Sequence, residues 1–166
     1  MILIGLGGNM PTPEYGRPEA TLEAALAALA PAGARVTRRS RWYRTAPVPP
    51  SDQPPFVNGV AALETELGPV ALLELLHATE RRFGRVRTHR WAPRTIDLDL
   101  LAYDDLVRPP DHPGGAPELP HPRLSERAFV LVPLEEIAPA WRHPVSGLGV
   151  GELLARLGGD RGVDPL

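Results

Sequence analysis

The amino-acid sequence predicts an α+β domain with a ferredoxin-like βαββαβ core, in which an antiparallel sheet is flanked by helices, and extra helical elements near the C-terminus. Apolar segments with strand and helix periodicity follow one another in this order. The 21 prolines and 16 glycines separate these segments and mark loops. A length of 166 residues with 43% hydrophobic residues suits one core of ordinary size. We therefore expect residues 1–166 to form one domain.

The first half of the chain supplies the βαββ part of this pattern. Leu22, Leu26 and Leu29 recur at helical spacing, Pro31 ends that helix, and five prolines after Arg44 interrupt the strands. The predicted elements are a strand at 2–6 that ends at a turn over 7–9, a helix at about 18–30, a strand at 36–43, a loop at 44–55 and a strand at 56–67.

The second half supplies the remaining αβ pair and the additional helices. Gly68-Pro69 begins a helix whose Leu72, Leu76 and Phe83 share one face. The predicted elements are a helix at 69–83, an arginine-rich loop at 84–93, a strand at 95–103, a Pro/Gly-rich connection at 104–120, a mostly helical segment at 125–137 interrupted near Pro133, and a short helix at 152–157.

Composition excludes several kinds of chemistry. The chain has no cysteine, which excludes disulfides, thiolate metal sites and cysteine nucleophiles. All 18 basic residues are arginine, so the lysine of a Walker motif and Schiff-base lysines are excluded as well. No apolar run reaches the roughly 20 residues of a membrane span, and the N-terminus lacks a signal-peptide pattern. We expect a cytoplasmic protein without membrane contacts.

The net charge of −2 conceals an uneven distribution of charge. Residues 35–94 contain 11 arginines against five acidic residues, whereas the rest of the chain contains seven arginines and 15 acidic residues. A basic region within an acidic protein favours a small anionic ligand over a long nucleic acid. A solvated basic face would produce the same pattern.

Asp97 and Asp99 form the most informative pair of residues. Side chains alternate along a strand, so the two carboxylates share one face while Leu98 points to the other. Two neighbouring carboxylates repel each other unless a cation lies between them, and Mg²⁺ accepts one or two carboxylates together with phosphate oxygens. An amphipathic strand with a solvated face is the alternative.

Arginines lie immediately before this pair. Residues 81–94 contain six arginines, three of them in the predicted loop at 84–93. Guanidinium groups bind phosphate oxygens through two parallel hydrogen bonds, although ion pairs with the two aspartates would also account for them. Carboxylates for metal binding together with loop arginines are typical of phosphoryl-type transfer.

Two further segments suggest ligand contacts. Phe56 and Asn58 share a strand face, and an aromatic ring beside an amide suits a flat heterocycle. A core phenylalanine with a turn asparagine is the simpler interpretation of the same residues. His121, between two prolines, could donate a hydrogen bond to a phosphate or cap a turn.

Taken together, these motifs resemble the 6-hydroxymethyl-7,8-dihydropterin pyrophosphokinase family of the folate pathway. The resemblance covers residues 2–139. It is most specific in Arg90-Trp91-Ala92-Pro93-Arg94-Thr95-Ile96-Asp97-Leu98-Asp99, and it also includes Gly5-Leu6-Gly7-Gly8-Asn9, Tyr43-Arg44-Thr45-Ala46-Pro47, Gln53 to Asn58, Gly84-Arg85-Val86-Arg87 and Pro120-His121-Pro122-Arg123. Phe56 stands where the family commonly has tyrosine.

The resemblance implies a role for each of these residues. Asp97 and Asp99 would bind two Mg²⁺ ions that bridge the phosphates of ATP, and they would be catalytic together with Arg85 and Arg94. The implied ATP-binding residues are His77, Glu80, Arg85, Arg87, Arg94, Leu100, His121 and Arg127. The implied pterin-binding residues are Thr45, Ala46, Pro47, Val48, Phe56, Asn58, Trp91 and Phe129.

The resemblance implies an ATP- and Mg²⁺-dependent diphosphotransferase that converts ATP and the pterin alcohol into AMP and the pterin pyrophosphate. We expect small-molecule substrates only, no nucleic acid partner, and a monomer. Two alternatives use the same residues: a metal-dependent hydrolase of phosphate esters and a ferredoxin-like nucleic-acid-binding module. The second would require exposed aromatic residues on the sheet, and only 5% of the residues are aromatic.

Overall fold

The computed structural model describes residues 1–47, 49–84, 95–110, 114 and 116–166. Its elements are β1 (Ile2–Gly8), α1 (Pro18–Leu29), β2 (Ala34–Arg39), β3 (Tyr43–Thr45), β4 (Phe56–Thr65), α2 (Pro69–Arg82), β5 (Asp97–Tyr103), a single 3-10 turn (Leu124–Glu126), α3 (Ala128–Ile137), α4 (Val150–Leu157) and β6 (Val163–Pro165). Within the described part of the chain, no helix is long and apolar enough to cross a membrane.

All the strands belong to one antiparallel sheet in the order β5-β1-β4-β3-β6, and β2 pairs with β4 beyond the end of β3. The strands β1 and β4 therefore occupy the centre, and the αβ crossovers place β2 and β5 on opposite sides of them. This arrangement confirms the predicted α+β fold with a ferredoxin-like core.

The sheet has a hydrophobic core on each face. Ile4 and Leu6 of β1 pack with the helices α1 and α2. Leu3, whose side chain points to the opposite face, packs with α3 and α4. Successive side chains of β1 point to opposite faces of the sheet. Because helices cover both faces, the residues on both sides are apolar and the strand reads as a continuous apolar run.

The segment at 36–43 forms two strands, where the sequence pattern predicts one. Between β2 and β3 the chain bulges away from β4. Ser40 connects this segment to β4, because its backbone N–H donates to the carbonyl of Val60 and its Oγ atom accepts from the backbone N–H of Val60. Trp42 packs against Gly59, where an added Cβ would lie 2.8 Å from the indole ring. The bulge is thus made possible by a glycine of a different strand, and the local polar alternation of 36–43 does not reveal it.

Other boundaries also differ from the prediction. The strand β1 continues to Gly8, so Gly7 and Gly8 are paired strand residues and do not form a turn. The helix α3 runs through Pro133 without a break, because its apolar side packs on the sheet and offsets the lost backbone hydrogen bond. The helix α4 begins at Val150, and Glu152 accepts a hydrogen bond from the backbone N–H of Gly149 at 3.2 Å.

Candidate functional site

A cavity of about 520 Å³ opens on the face of the sheet that carries α3. It lies where the C-terminal end of β1 meets the N-terminal ends of β4 and β5. Its floor includes Gly5 and Gly7, which pair across the sheet with Asp99 and Asp97 respectively. Since neither glycine has a side chain, the backbone itself forms part of the floor.

The predicted alternation of β5 is confirmed by the placement of its side chains. Asp97 and Asp99 are half-buried and line the cavity, whereas Leu98 lies in the core beneath α2. No group of three or more His, Cys, Asp or Glu side chains suited to a metal ion occurs among the described residues. Asp97 and Asp99 supply hard oxygen ligands, which suit a divalent cation whose remaining ligands are water and phosphate oxygens.

The outer edge of β5 is fixed by Glu80 of α2. Its carboxylate is almost fully buried, and Oε2 accepts a hydrogen bond from the backbone N–H of Leu98 at 2.8 Å. Because Leu98 stands between the two aspartates, this contact holds the backbone that carries both carboxylates.

Asn58 and Thr45 form a polar wall of the cavity. The Nδ2 group of Asn58 donates a hydrogen bond of 2.6 Å to Thr45 Oγ1, and both side chains are buried. A Cβ atom at position 7 would lie 2.9 Å from Asn58 Oδ1. Gly7 thus leaves the room that the amide requires.

Aromatic residues line the cavity from two elements. Phe56 lies at the start of β4, and Phe129 lies in the first turn of α3. The guanidinium carbon of Arg127 is 5.5 Å from the centroid of the Phe129 ring, and Arg127 also lines the cavity. A flat ring and an anion could thus be bound side by side.

The loop after β3 is attached to the end of β1. The amide of Asn9 is 1% exposed, and its Nδ2 group donates to Gln53 Oε1 at 3.0 Å and to the carbonyl of Pro54 at 3.2 Å. These contacts hold the loop over one side of the cavity.

His121 lies beside the cavity in an environment that disfavours its charged form. Burial first, and then the positive charge of Arg127, lower the pKa of His121 to about 4, although Asp97 acts in the opposite direction. Its Nδ1 atom accepts a hydrogen bond from the backbone N–H of Arg123 at 3.2 Å. The neutral ring therefore carries its hydrogen on Nε2 as a donor.

The structure brings together most of the predicted ligand contacts that it describes. The predicted residues that line the cavity are Thr45, Ala46, Pro47, Phe56, Asn58, Asp97, Asp99, Arg127 and Phe129. The described predicted residues that do not line it are His77, Glu80, Leu100 and His121. The side chain of Leu100 lies in the core on the opposite face of the sheet.

Five predicted site residues lie outside the described residues: Val48, Arg85, Arg87, Trp91 and Arg94. The structure also adds residues to the cavity wall that the sequence pattern does not single out, among them Glu126, Arg161, Gly162 and Val163. The last three come from the C-terminal segment, more than a hundred residues from Thr45, and no local motif marks them as site residues.

The cavity combines two carboxylates, an arginine and an amide–aromatic wall, a set of groups suited to a phosphorylated ligand and a flat ring. The chain belongs to the 7,8-dihydro-6-hydroxymethylpterin-pyrophosphokinase (HPPK) family, whose sequence model matches residues 3–139. The resemblance inferred from the motifs is thereby confirmed.

Bacterial relatives support this assignment along most of the chain. The 2-amino-4-hydroxy-6-hydroxymethyldihydropteridine pyrophosphokinase of Synechocystis sp. is 42% identical over 156 residues, which span 93% of this chain and 75% of the relative. The enzyme of the same name from Pseudomonas aeruginosa is 42% identical over 155 residues, spanning 93% of this chain and 90% of the relative.

A solved structure supports the fold. The wild-type HPPK-DHPS of Plasmodium falciparum, crystallised with SDX-DHP, superimposes with a TM-score of 0.68 at 13% identity. The alignment covers 93% of this chain and 43% of that one. At this identity the likeness concerns the fold alone.

Proposed function

We propose that this protein transfers pyrophosphate from ATP to the hydroxymethyl group of 6-hydroxymethyl-7,8-dihydropterin, giving AMP and the pterin pyrophosphate, a step of folate biosynthesis. The observation that carries this proposal is that one cavity combines the Asp97–Asp99 pair with the Asn58 amide and two aromatic rings. Membership of the pyrophosphokinase family points to the same reaction.

The pterin occupies the half of the cavity next to β3 and β4. Phe56 and Phe129 hold the ring between their faces, and Asn58 pairs with its ring donors and acceptors. Thr45 fixes the orientation of that amide through the 2.6 Å hydrogen bond. Ala46 and Pro47 close the wall beside it.

The phosphates of ATP occupy the half of the cavity next to β5. Asp97 and Asp99 would hold Mg²⁺, in this proposal two ions, which supplies positive charge against the phosphate oxygens when bound. Arg127 adds a fixed guanidinium, and neutral His121 donates from Nε2. We also propose the other ATP contacts that the family resemblance implies, from His77, Glu80, Arg85, Arg87, Arg94 and Leu100.

The reaction is a nucleophilic displacement at phosphorus. The hydroxymethyl oxygen of the pterin forms a bond to the β-phosphorus of ATP, and the bond from that phosphorus to the α,β-bridging oxygen breaks. AMP leaves with the bonding electrons, and the hydroxyl proton is released. The contribution of the protein is to align the two substrates and to stabilise charge on the transferred group.

Both alternative functions are less consistent with the structure. Helices cover both faces of the described sheet, so a nucleic-acid module that uses an open sheet face is disfavoured. A phosphate-ester hydrolase would account for the carboxylates but not for the amide and the aromatic pair. We further propose that the protein acts in the cytoplasm as a monomer, as expected from the sequence.

A coupled assay tests the proposed function. The purified protein is incubated with ATP, Mg²⁺ and the reduced pterin alcohol, and the products are separated by chromatography. We expect equal amounts of AMP and pterin pyrophosphate, formed only when the pterin and Mg²⁺ are both present. Release of inorganic phosphate without the pterin would instead indicate a hydrolase.

A further inference from the structure

The C-terminal segment is fixed to the edge of the sheet. Asp160 Oδ1 accepts a hydrogen bond of 3.0 Å from the backbone N–H of Gly162, which shapes the turn that leads into β6. The strand β6 then pairs with β3, and the backbone N–H of Leu166 donates to the carbonyl of Trp42 at 3.0 Å. This segment lies beyond residue 139, where the family match ends.

The same segment forms a wall of the cavity. Val163 pairs directly with Thr45, which hydrogen-bonds to Asn58. Arg161 and Gly162 line the cavity just before this pair. The C-terminal segment therefore borders the half of the cavity that contains Thr45 and Asn58.

Arg161 differs from its neighbours in how its charge is compensated. The described charged side chains that line the cavity are Asp97, Asp99, Arg123, Glu126, Arg127 and Arg161. Arg123 lies 3.7 Å from Glu126 in an ion pair. Among the described residues, Arg161 forms neither an ion pair nor a hydrogen bond through its side chain. A guanidinium at the cavity wall without a carboxylate partner is suited to bind an anion of the ligand.

We propose that Arg161 binds the pyrophosphate of the pterin product in this cavity and is a further ligand-binding residue of the reaction. This inference rests on the proposed function. The C-terminal segment borders the pterin half of the cavity, and β6 lies at the opposite edge of the sheet from β5, so the contact forms with the pyrophosphate of the pterin product and not with the phosphates of ATP. The guanidinium donates hydrogen bonds to the oxygens of that pyrophosphate.

Calorimetric titration with three probes tests this role. The probes are the pterin alcohol, the pterin pyrophosphate, and a non-hydrolysable ATP analogue with Mg²⁺. For Arg161→Ala we expect the Kd of the pterin pyrophosphate to rise about tenfold or more, as the loss of a charge-assisted hydrogen bond implies. The Kd values of the pterin alcohol and of the ATP analogue stay unchanged.

Two further variants serve as controls. Arg156→Ala removes the same charge from the exposed side of α4, away from the cavity, and should leave all three affinities unchanged. Arg161→Lys keeps the charge without the planar fork and should fall between wild type and Arg161→Ala. Both variants are compared with Arg161→Ala at one ionic strength.

The pattern of losses decides the outcome. Weaker binding of the pterin pyrophosphate alone supports the proposal. Weaker binding of the ATP analogue, equal weakening of all three probes, or no more weakening than in Arg156→Ala overturns it. Turnover by the wild-type protein is measured separately, so failure of the proposed reaction is distinguished from failure of the Arg161 contact.

Discussion

Strand alternation places Asp97 and Asp99 on the cavity side of β5, with Leu98 in the core. The two carboxylates therefore face the cavity, whereas the apolar side chain of Leu98 contributes to the core. A metal-binding role and a structural ion-pair role for the two aspartates predict different behaviour on substitution, so this pair is the first site to test.

We predict that Asp97→Asn and Asp99→Asn each lower kcat by at least about a hundredfold, since several kcal/mol of transition-state stabilisation depend on the bound metal. Melting temperatures stay close to the wild-type value, because both side chains line the cavity and the core is formed by Leu98. Thermal melts and rates at increasing Mg²⁺ concentration check both points. Near-normal rates with a lowered melting temperature would show a structural role.

Gly7 offers a second test at the residue scale. In Gly7→Ala the new Cβ would lie 2.9 Å from Asn58 Oδ1, so the amide must shift from its hydrogen bond with Thr45. We predict about tenfold or greater weakening of pterin binding, since a misplaced buried amide costs roughly 1–3 kcal/mol. Calorimetry with the pterin alcohol measures the loss.

Gly151→Ala is a matched control for this prediction. It lies in the first turn of α4, and an added Cβ would meet no other atom within 4 Å. Alanine favours helix formation, so pterin affinity should be unchanged and stability slightly higher. Equal pterin affinity in both variants would show that Gly7 has no role in positioning Asn58.

At the scale of elements, one carboxylate joins α3 to the bulge between β2 and β3. Glu136 accepts hydrogen bonds from the backbone and side chain of Arg41 and from the hydroxyl of Tyr43. Burial alone would raise the pKa of Glu136, but these hydrogen bonds lower it overall. Because the pKa is lower in the folded state, the stabilisation is complete above the usual value of 4.5 and is lost as the pH falls through the lowered value.

We therefore predict that Glu136→Gln lowers the free energy of unfolding at pH 7 by about 1 kcal/mol, as the loss of charge-assisted hydrogen bonds implies. The difference from wild type should shrink below pH 4.5. Urea unfolding between pH 3 and pH 7 measures it. Glu135→Gln, an exposed neighbour on the same helix, is the control. A difference that is constant with pH would contradict the ionic role.

The sequence predicts those elements that local periodicity determines. Leucines at helical spacing indicate α1 and α2, and strand alternation indicates the face of Asp97 and Asp99. The split between β2 and β3 depends on Gly59 in another strand, and β6 has only three residues, one of them proline. Such features arise from pairing between distant segments, so a local pattern does not indicate them.

In the candidate site too, motifs in the sequence indicate some residues, and pairing between distant segments brings in others. Phe56, Asn58 and Phe129 were predicted as one pterin pocket through family resemblance, and they do line one cavity. Arg161 lies in a segment without a motif, and only the return of the chain beside β3 brings it to the cavity wall.

At the scale of the whole molecule, the cavity depends on both ends of the chain: β1 supplies its floor, and β6 supports its wall. We predict that a chain ending at Gly158 still folds but melts a few degrees lower, since it loses the pairing of β6 with β3 and the contact from Leu166 to Trp42. Its affinity for the pterin alcohol should also fall severalfold, because Thr45 loses its pairing with Val163 and no longer holds Asn58 firmly.

Comparison with Arg161→Ala separates the two contributions of the C-terminal segment. That substitution leaves β6 in place, so it should not change the melting temperature or the affinity for the uncharged pterin alcohol. The shortened chain should change both, as measured by thermal melts and calorimetry under the same conditions. If the shortened chain binds the pterin alcohol as tightly as wild type, the wall formed by β3 holds Thr45 and Asn58 without β6, and the C-terminal strand has no part in pterin binding.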